Sequence, residues 1–216
     1  MVDLPPVPGR IAGLPRDTRG YPVPAENGWL RGKPQLALQD FRRCGALYAH
    51  SCCAICGLPF EPGEVLYRLF SHTETEQAVP LDACQRLDGP GHRDCMIFSG
   101  AVCPFFITSG ARRTADHHDV AKGTPRGDTA SLLGFDTVQI AVDQEPPHRV
   151  WFHYRGIRET ITFTKGTEMA DLLTATAPPQ GAQAVRKYWK TEPEVKRIWA
   201  KTLELATQHG RPARRS

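Results

Sequence analysis

The sequence predicts an α+β protein, and three observations carry that prediction. A Cys-x-x-Cys pair and a His-x-x-Cys pair flank a strand-like run, three short β-rich runs follow, and the last amphipathic pattern recurs every three or four residues. With 216 residues and 40% hydrophobic content the chain is long enough to build a core without help from a metal. Any metal site must therefore be argued from ligands.

The elements are taken in chain order. Residues 1–35 are crowded with proline, which fixes φ and removes N–H donors, so an extended arm is expected, laid across a neighbouring surface through Ile11, Leu14, Tyr21 and Val23. Residues 36–112 form the next unit. It opens on a weak helical pattern from Leu36 to Tyr48 (Leu38, Phe41, Ala46) and contains a strand candidate from Glu64 to Phe70. The polar, glycine-containing stretch 113–135 reads as a linker.

Residues 136–216 hold the β-rich runs Thr137 to Val142, Arg149 to Tyr154 and Thr160 to Thr164, separated by Glu145-Pro-Pro and Arg155-Gly-Ile, which predict an antiparallel meander. A helix is expected from Glu168 to Thr176 with Thr167 as its N-cap and Pro178-Pro179 as its stop. The final helix turns Val195, Ile198, Trp199, Thr202, Leu205 and Ala206 to one face and Lys196, Arg197, Lys201 and Glu204 to the other.

No window offers the roughly 20 apolar residues of a membrane span, and the opening Met1-Val-Asp-Leu-Pro-Pro lacks signal-peptide features. A cytoplasmic protein without a membrane partner is expected. In that reducing compartment the seven cysteines read as thiols or metal ligands before disulfides.

In Cys53-Ala-Ile-Cys56-Gly57 two thiolates flank a tight turn closed by glycine, the shape of a zinc knuckle. His92-Arg-Asp-Cys95 follows the loop Asp88-Gly-Pro-Gly91 and precedes the apolar run from Met96 to Val102, which places His92 and Cys95 one turn apart at a helix start. Three thiolates and one imidazole suit zinc better than magnesium or calcium. The metal ligands are therefore Cys53, Cys56, His92 and Cys95, holding one structural Zn2+. With a hairpin between knuckle and helix, the predicted fold is a small treble-clef-like zinc-binding unit with a short antiparallel sheet and C-terminal helices. Cys84 is the chief rival ligand and Cys52 could stand in for Cys53 at looser spacing; Cys103 reads as a helix-end thiol and Cys44 as a core or surface residue.

Gly9-Arg-Ile-Ala-Gly-Leu-Pro-Arg-Asp-Thr-Arg-Gly-Tyr-Pro-Val-Pro24, the Cys53-Ala-Ile-Cys-Gly-Leu-Pro knuckle, and Gly91-His-Arg-Asp-Cys95 with Ala101-Val-Cys-Pro-Phe105 together resemble a family of small zinc-knuckle proteins of bacteria and their phages. The resemblance covers about the first half of the chain. It implies the metal site and no established activity. The chain departs from the family's pattern around Cys84 and after Gly110.

Several function classes are weighed against these residues. Treble-clef scaffolds also carry HNH-type nucleases, for which Asp116-His-His-Asp119 is the candidate, although the nuclease histidine would stand between the ligand pairs. His72-Thr-Glu74 has the His-x-Glu of zinc deaminases, but the Cys-x-x-Cys lies upstream of it, the wrong order. No P-loop, dinucleotide fingerprint or nucleophile elbow occurs. The net charge is only +4, yet nine Lys and Arg stand against three Glu from Gly181 to Ser216. Arg186, Lys187, Lys190 and Arg197 are candidate phosphate contacts, with Tyr188 or Trp189 to stack on bases. The expectation is a structural-zinc module that binds a macromolecule, protein or nucleic acid.

Overall fold

Proline keeps the N-terminal segment out of long helix, and it crosses the core with a single short turn, α1 (Gly9–Ala12). Ile11, Leu14, Val23 and Ala25 are buried and Tyr21 is half-buried, so the arm lies on apolar surface. The computed structural model describes residues 3–113, 122–143 and 149–174, together with 177, 193, 196, 197, 199–201, 203 and 204.

Two strands come next, β1 (Asn27–Leu30) and β2 (Lys33–Gln39). Arg31 and Gly32 join them with φ of 49° and 74°, as a two-residue type I′ turn requires. Asn27 donates through Nδ2 to Gln35 O and Leu38 O, both at 2.9 Å, and so fills the irregular part of the pairing. Helix α2 (Phe41–Ala49) begins only after Asp40, whose carboxylate accepts from Arg42 N. The helical start expected at Leu36 is thus corrected: the hairpin turn and the Asp40 cap outrank the spacing of Leu38, Phe41 and Ala46.

The remaining elements are β3 (Leu66–Ser71), α3 (His72–Leu81), β4 (Ala83–Arg86), α4 (Arg93–Val102), α5 (Pro104–Ile107), β5 (Ala130–Val142), β6 (Val150–Phe163) and α6 (Gly166–Asp171). An antiparallel sheet takes the order β3-β5-β6-β4. The β5–β6 hairpin therefore sits between β3 and β4, and β3 does not form the local hairpin expected between the two ligand pairs. Apolar periodicity does not announce α3. A Ser-x-x-Glu start does: Ser71 N donates to Glu74 Oε2 at 2.8 Å.

Residues 130–135, expected within a linker, are the first half of β5. Leu132 joins a core cluster with Leu69, Ile97 and Phe163, while Leu133 and Phe135 join a second with Phe70, Phe152 and Tyr154. A strand covered on both faces shows no polar–apolar alternation, which is why Ala-Ser-Leu-Leu-Gly-Phe hides its period. The three expected β runs become two strands. The β5 partner steps from Ile157 at Phe135 to Glu159 at Gly134, which leaves Arg158 as the extra residue of a bulge, next to Gly156 at φ 71°. Arg155-Gly-Ile bends the strand and does not end it.

Before β5 the chain is pinned by Arg126, fully buried, which donates to Phe106 O (3.1 Å), Asp128 O (2.9 Å) and Thr164 O (2.8 Å). Helix α6 is shorter than expected and is capped two residues early, at Lys165 in place of Thr167, where Lys165 N donates to Glu168 Oε1 at 3.0 Å. Near the C-terminus residues 196, 197, 199–201, 203 and 204 are helical; Trp199 and Leu203 pack on the second core cluster while Lys196, Arg197 and Lys201 are exposed. No helix among the described residues is long and apolar enough to cross a membrane.

Candidate metal centre

The first half of the site is a tight knuckle. Cys52 and Pro59 pair as a β-bridge, Cys53 N donates to Leu58 O at 2.8 Å, and Gly57 N donates to Cys53 O at 2.9 Å. Gly57 closes the turn at φ 70°, a left-handed conformation that glycine adopts without a Cβ penalty. The turn aims Cys56 N at Cys53 Sγ, 3.5 Å away.

The second half is brought in by β3. Gly91 and Tyr67 exchange two backbone hydrogen bonds of 2.9 Å, and Ala54 N donates to Pro90 O at 2.8 Å, so the chain reaches His92 already docked against both strand and knuckle. His92 is the N-cap of α4 and Cys95 lies in its first turn. His92 N donates to Cys53 Sγ at 3.4 Å.

One donor atom from each of Cys53, Cys56, His92 and Cys95 lies within 4.8 Å of the other three. Exposure is 0% for the three cysteines and 1% for His92. Cys56 Sγ stands 3.4 Å from His92 Nδ1. A tetrahedral zinc with Zn–S of about 2.3 Å and Zn–N of about 2.0 Å implies donor separations of about 3.5–3.8 Å, so the cluster has the right size.

The charge of the cluster points the same way. Burial pushes the Cys56 and Cys95 thiols well up, and the thiolate of Cys53 adds to that effect. At Cys53 burial is opposed and outweighed by hydrogen bonds from Cys56, Cys95 and His92, which hold it well below the ordinary thiol range. Burial and mutual repulsion thus oppose the accumulation of thiolates here. A divalent ion reverses this logic by ligating all three.

The outer shell fits as well. With Nδ1 turned to the sulfurs, His92 carries its proton on Nε2, 3.2 Å from Pro59 O, which accepts it. Arg10 Nη1 is also 3.2 Å from Nε2, and Arg10 is held 3.6 Å from Asp94. Three thiolates, one imidazole and Zn2+ sum to a single negative charge, and Arg10 places a positive one beside it. Phe60 covers the imidazole at 4.7 Å between ring centroids. Arg10 and Phe60 belong to no ligand motif, and the prolines around Arg10 signal only an arm.

Other candidates lie elsewhere. Cys84 is half-buried on β4 and burial pushes it up to about 12; Cys103 ends α4 and is likewise raised by burial. Neither joins the donor cluster. Cys52 donates its thiol to His50 O, and Cys44 points to Glu26. His72 lies 2.8 Å from Thr129 Oγ1 at the start of α3, and Glu74 caps that helix and pairs with Arg86, so the His-x-Glu spacing serves the fold. Asp116 to Asp119, and Arg186, Lys187 and Lys190, lie outside the described residues. Arg197 is helical and exposed.

A buried ionic chain carries no sequence signal at all: Glu26, Arg68, Asp88, Arg86 and Glu74 link in that order across five segments. Burial raises Glu26 to about 7, the nearby Asp88 adds to the rise, and Arg68 opposes it. Comparisons of the chain with protein-family models, curated proteins and solved structures return no match.

Proposed function

We propose that this chain is a structural-zinc binding module: one Zn2+ held by Cys53, Cys56, His92 and Cys95 staples the knuckle, α4 and the proline arm into a surface for a macromolecular partner. One observation carries the reading. All four donors are buried and converge within one coordination sphere, so four protein ligands leave zinc no position for water or substrate. A closed site of this kind contributes to folding and performs no hydrolysis.

A protein partner has the support of large apolar side chains left exposed on two elements, Leu30 (61%) and Leu38 on the β1–β2 hairpin and Val79 and Leu81 (74%) on α3. Nucleic acid is the second reading, favoured by the exposed face of Lys196, Arg197 and Lys201. Binding of random-sequence DNA at low salt separates the two: salt-sensitive binding lost on reversing those three charges supports nucleic acid, and its absence leaves the protein reading.

The metal is tested directly. Purified protein is expected to contain one zinc per chain by elemental analysis, and Cys56→Ser or His92→Ala to lose both zinc and cooperative unfolding, since zinc binding supplies about 10–16 kcal/mol in small finger peptides. Full stability after chelation sinks the proposal.

A further inference from the structure

A cavity of about 490 Å³ lies beneath the proline arm, walled by β2, the C-terminal end of α4 and α5. This is the size range of small-molecule sites. None of the four metal ligands lines it, so it is distinct from the metal centre. Its apolar wall includes Met96, Phe98 and Phe105, and its polar wall has five arginines (Arg19, Arg68, Arg86, Arg112, Arg113) against two carboxylates (Glu26, Asp88).

These charges are unequally matched. Arg68 lies 3.1 Å from Glu26 and 3.5 Å from Asp88; Arg86 pairs with Asp88 at 2.8 Å and with Glu74, and Arg113 reaches that same Glu74 at 3.4 Å. Glu26, raised by burial to about 7, carries less than a full charge at neutral pH. Arg112 gives Nη1 to a neutral acceptor, Gly123 O, at 2.8 Å.

Two donors are left over. The Nε–H groups of Arg86 and Arg113 are buried and have no acceptor among the described residues. Neither nitrogen is reached by solvent, so what an anion in the cavity would meet is the excess positive charge of the wall, Arg112 above all, whose partner is a neutral carbonyl. The Arg113 guanidinium is already oriented, stacked 4.7 Å over the Phe105 ring.

We propose that this cavity binds a small organic anion, whose carboxylate or phosphate group is met by Arg112 and Arg113 and whose apolar, ring-sized body packs on Met96, Phe98 and Phe105. Arginine suits such a head group because its planar fork donates two hydrogen bonds at once. The site asks nothing of the macromolecular partner proposed above.

The test uses the full chain with its native metal and the fluorescent probe 1-anilinonaphthalene-8-sulfonate beside its neutral analogue N-phenyl-1-naphthylamine. Saturable one-to-one binding of the sulfonate is expected, at least about tenfold tighter than the neutral probe. Benzoate or phenyl phosphate should displace it, and the one effective at lower concentration identifies the head group. Ala37→Trp fills the cavity from an exposed position of β2, and Arg112→Leu removes an exposed charge. Each should weaken the probe about tenfold with an unchanged thermal midpoint. Equal affinity for the neutral probe overturns the proposal, as does binding that neither competitor displaces. If Ala37→Trp fails to fold, Arg112→Leu decides alone: unchanged binding in that variant also overturns it.

Discussion

Glu26 shows how far one residue's chemistry departs from what its letter suggests. It is a carboxylate with 3% exposure, tied to Arg68, to Gly89 N at 3.3 Å and, through Arg68, to Asp88. Burial and then Asp88, against the pull of Arg68, raise it to about 7 from the ordinary 4.5. The folded protein thus binds this proton more tightly than the unfolded chain does. Its contribution to stability is full below pH 4.5 and is withdrawn as the pH rises to about 7, by an amount on the order of 3 kcal/mol. Glu74 moves the other way: burial raises it, but Arg86, Ser71 N and Arg113 prevail and hold it below 4.5, so its support is lost as the pH falls below that value. Glu74 therefore stays charged between pH 4.5 and 7, but His153, lowered from 6.5 by burial and then by Arg155, titrates in the same range with the opposite sign, so the Glu26 share is read as the difference between the parent chain and a Glu26 variant. Urea unfolding in that window should show the parent chain losing stability with rising pH relative to Glu26→Gln. An unchanged slope in the variant contradicts the assignment.

At the scale of elements, β6 owes its length to a bulge. Gly156 adopts φ 71°, and its N–H donates to Asp82 O at 3.1 Å, which fastens the kink to the end of α3. An added Cβ would meet Asp136 Oδ2 at 2.8 Å in a conformation that side chains already disfavour. Gly156→Ala is expected to cost about 1–2 kcal/mol, read as a lower urea midpoint with an unchanged slope. Helix α4 is the other decisive element. Its first turn carries His92 and Cys95, its middle buries Met96, Ile97 and Phe98, and Gly100 lets it approach Met169 and Leu69, where a Cβ would stand 3.2–3.3 Å from both. One helix with its N-cap thereby presents two of the four converging Cys and His side chains, core side chains and a wall of the cavity.

For the whole molecule, the sheet order β3-β5-β6-β4 makes the segment that carries the Cys and His cluster depend on residues far along the chain. Residues 36–112 on their own leave Leu69 and Phe70 without the β5 and β6 side chains that bury them. That fragment, loaded with zinc, is expected to lack a cooperative thermal transition, whereas the full chain shows one; a cooperative fragment contradicts this dependence. The convergence of Cys53, Cys56, His92 and Cys95 was legible in the sequence because each pair is local: a glycine-closed turn orients Cys53 and Cys56, and one helical turn orients His92 and Cys95. The burial of Ile11, Leu14 and Val23 in the arm and the packing of Trp199 were legible too, whereas Leu203, which packs beside Trp199, lay outside the expected face, and Val195, Ile198, Thr202, Leu205 and Ala206 lie outside the described residues. The start of β2, the capped helix α3 and the strand from Ala130 were not, since turn chemistry and two-sided burial override or erase periodicity. What only the tertiary structure decided is the pairing of β3 with β5, the ionic chain from Glu26 to Glu74 and the cavity beside it. Apart from the neighbours Arg86 and Asp88, their paired members lie on different elements, and contacts closed between elements depend on how those elements pack, which no local spacing records.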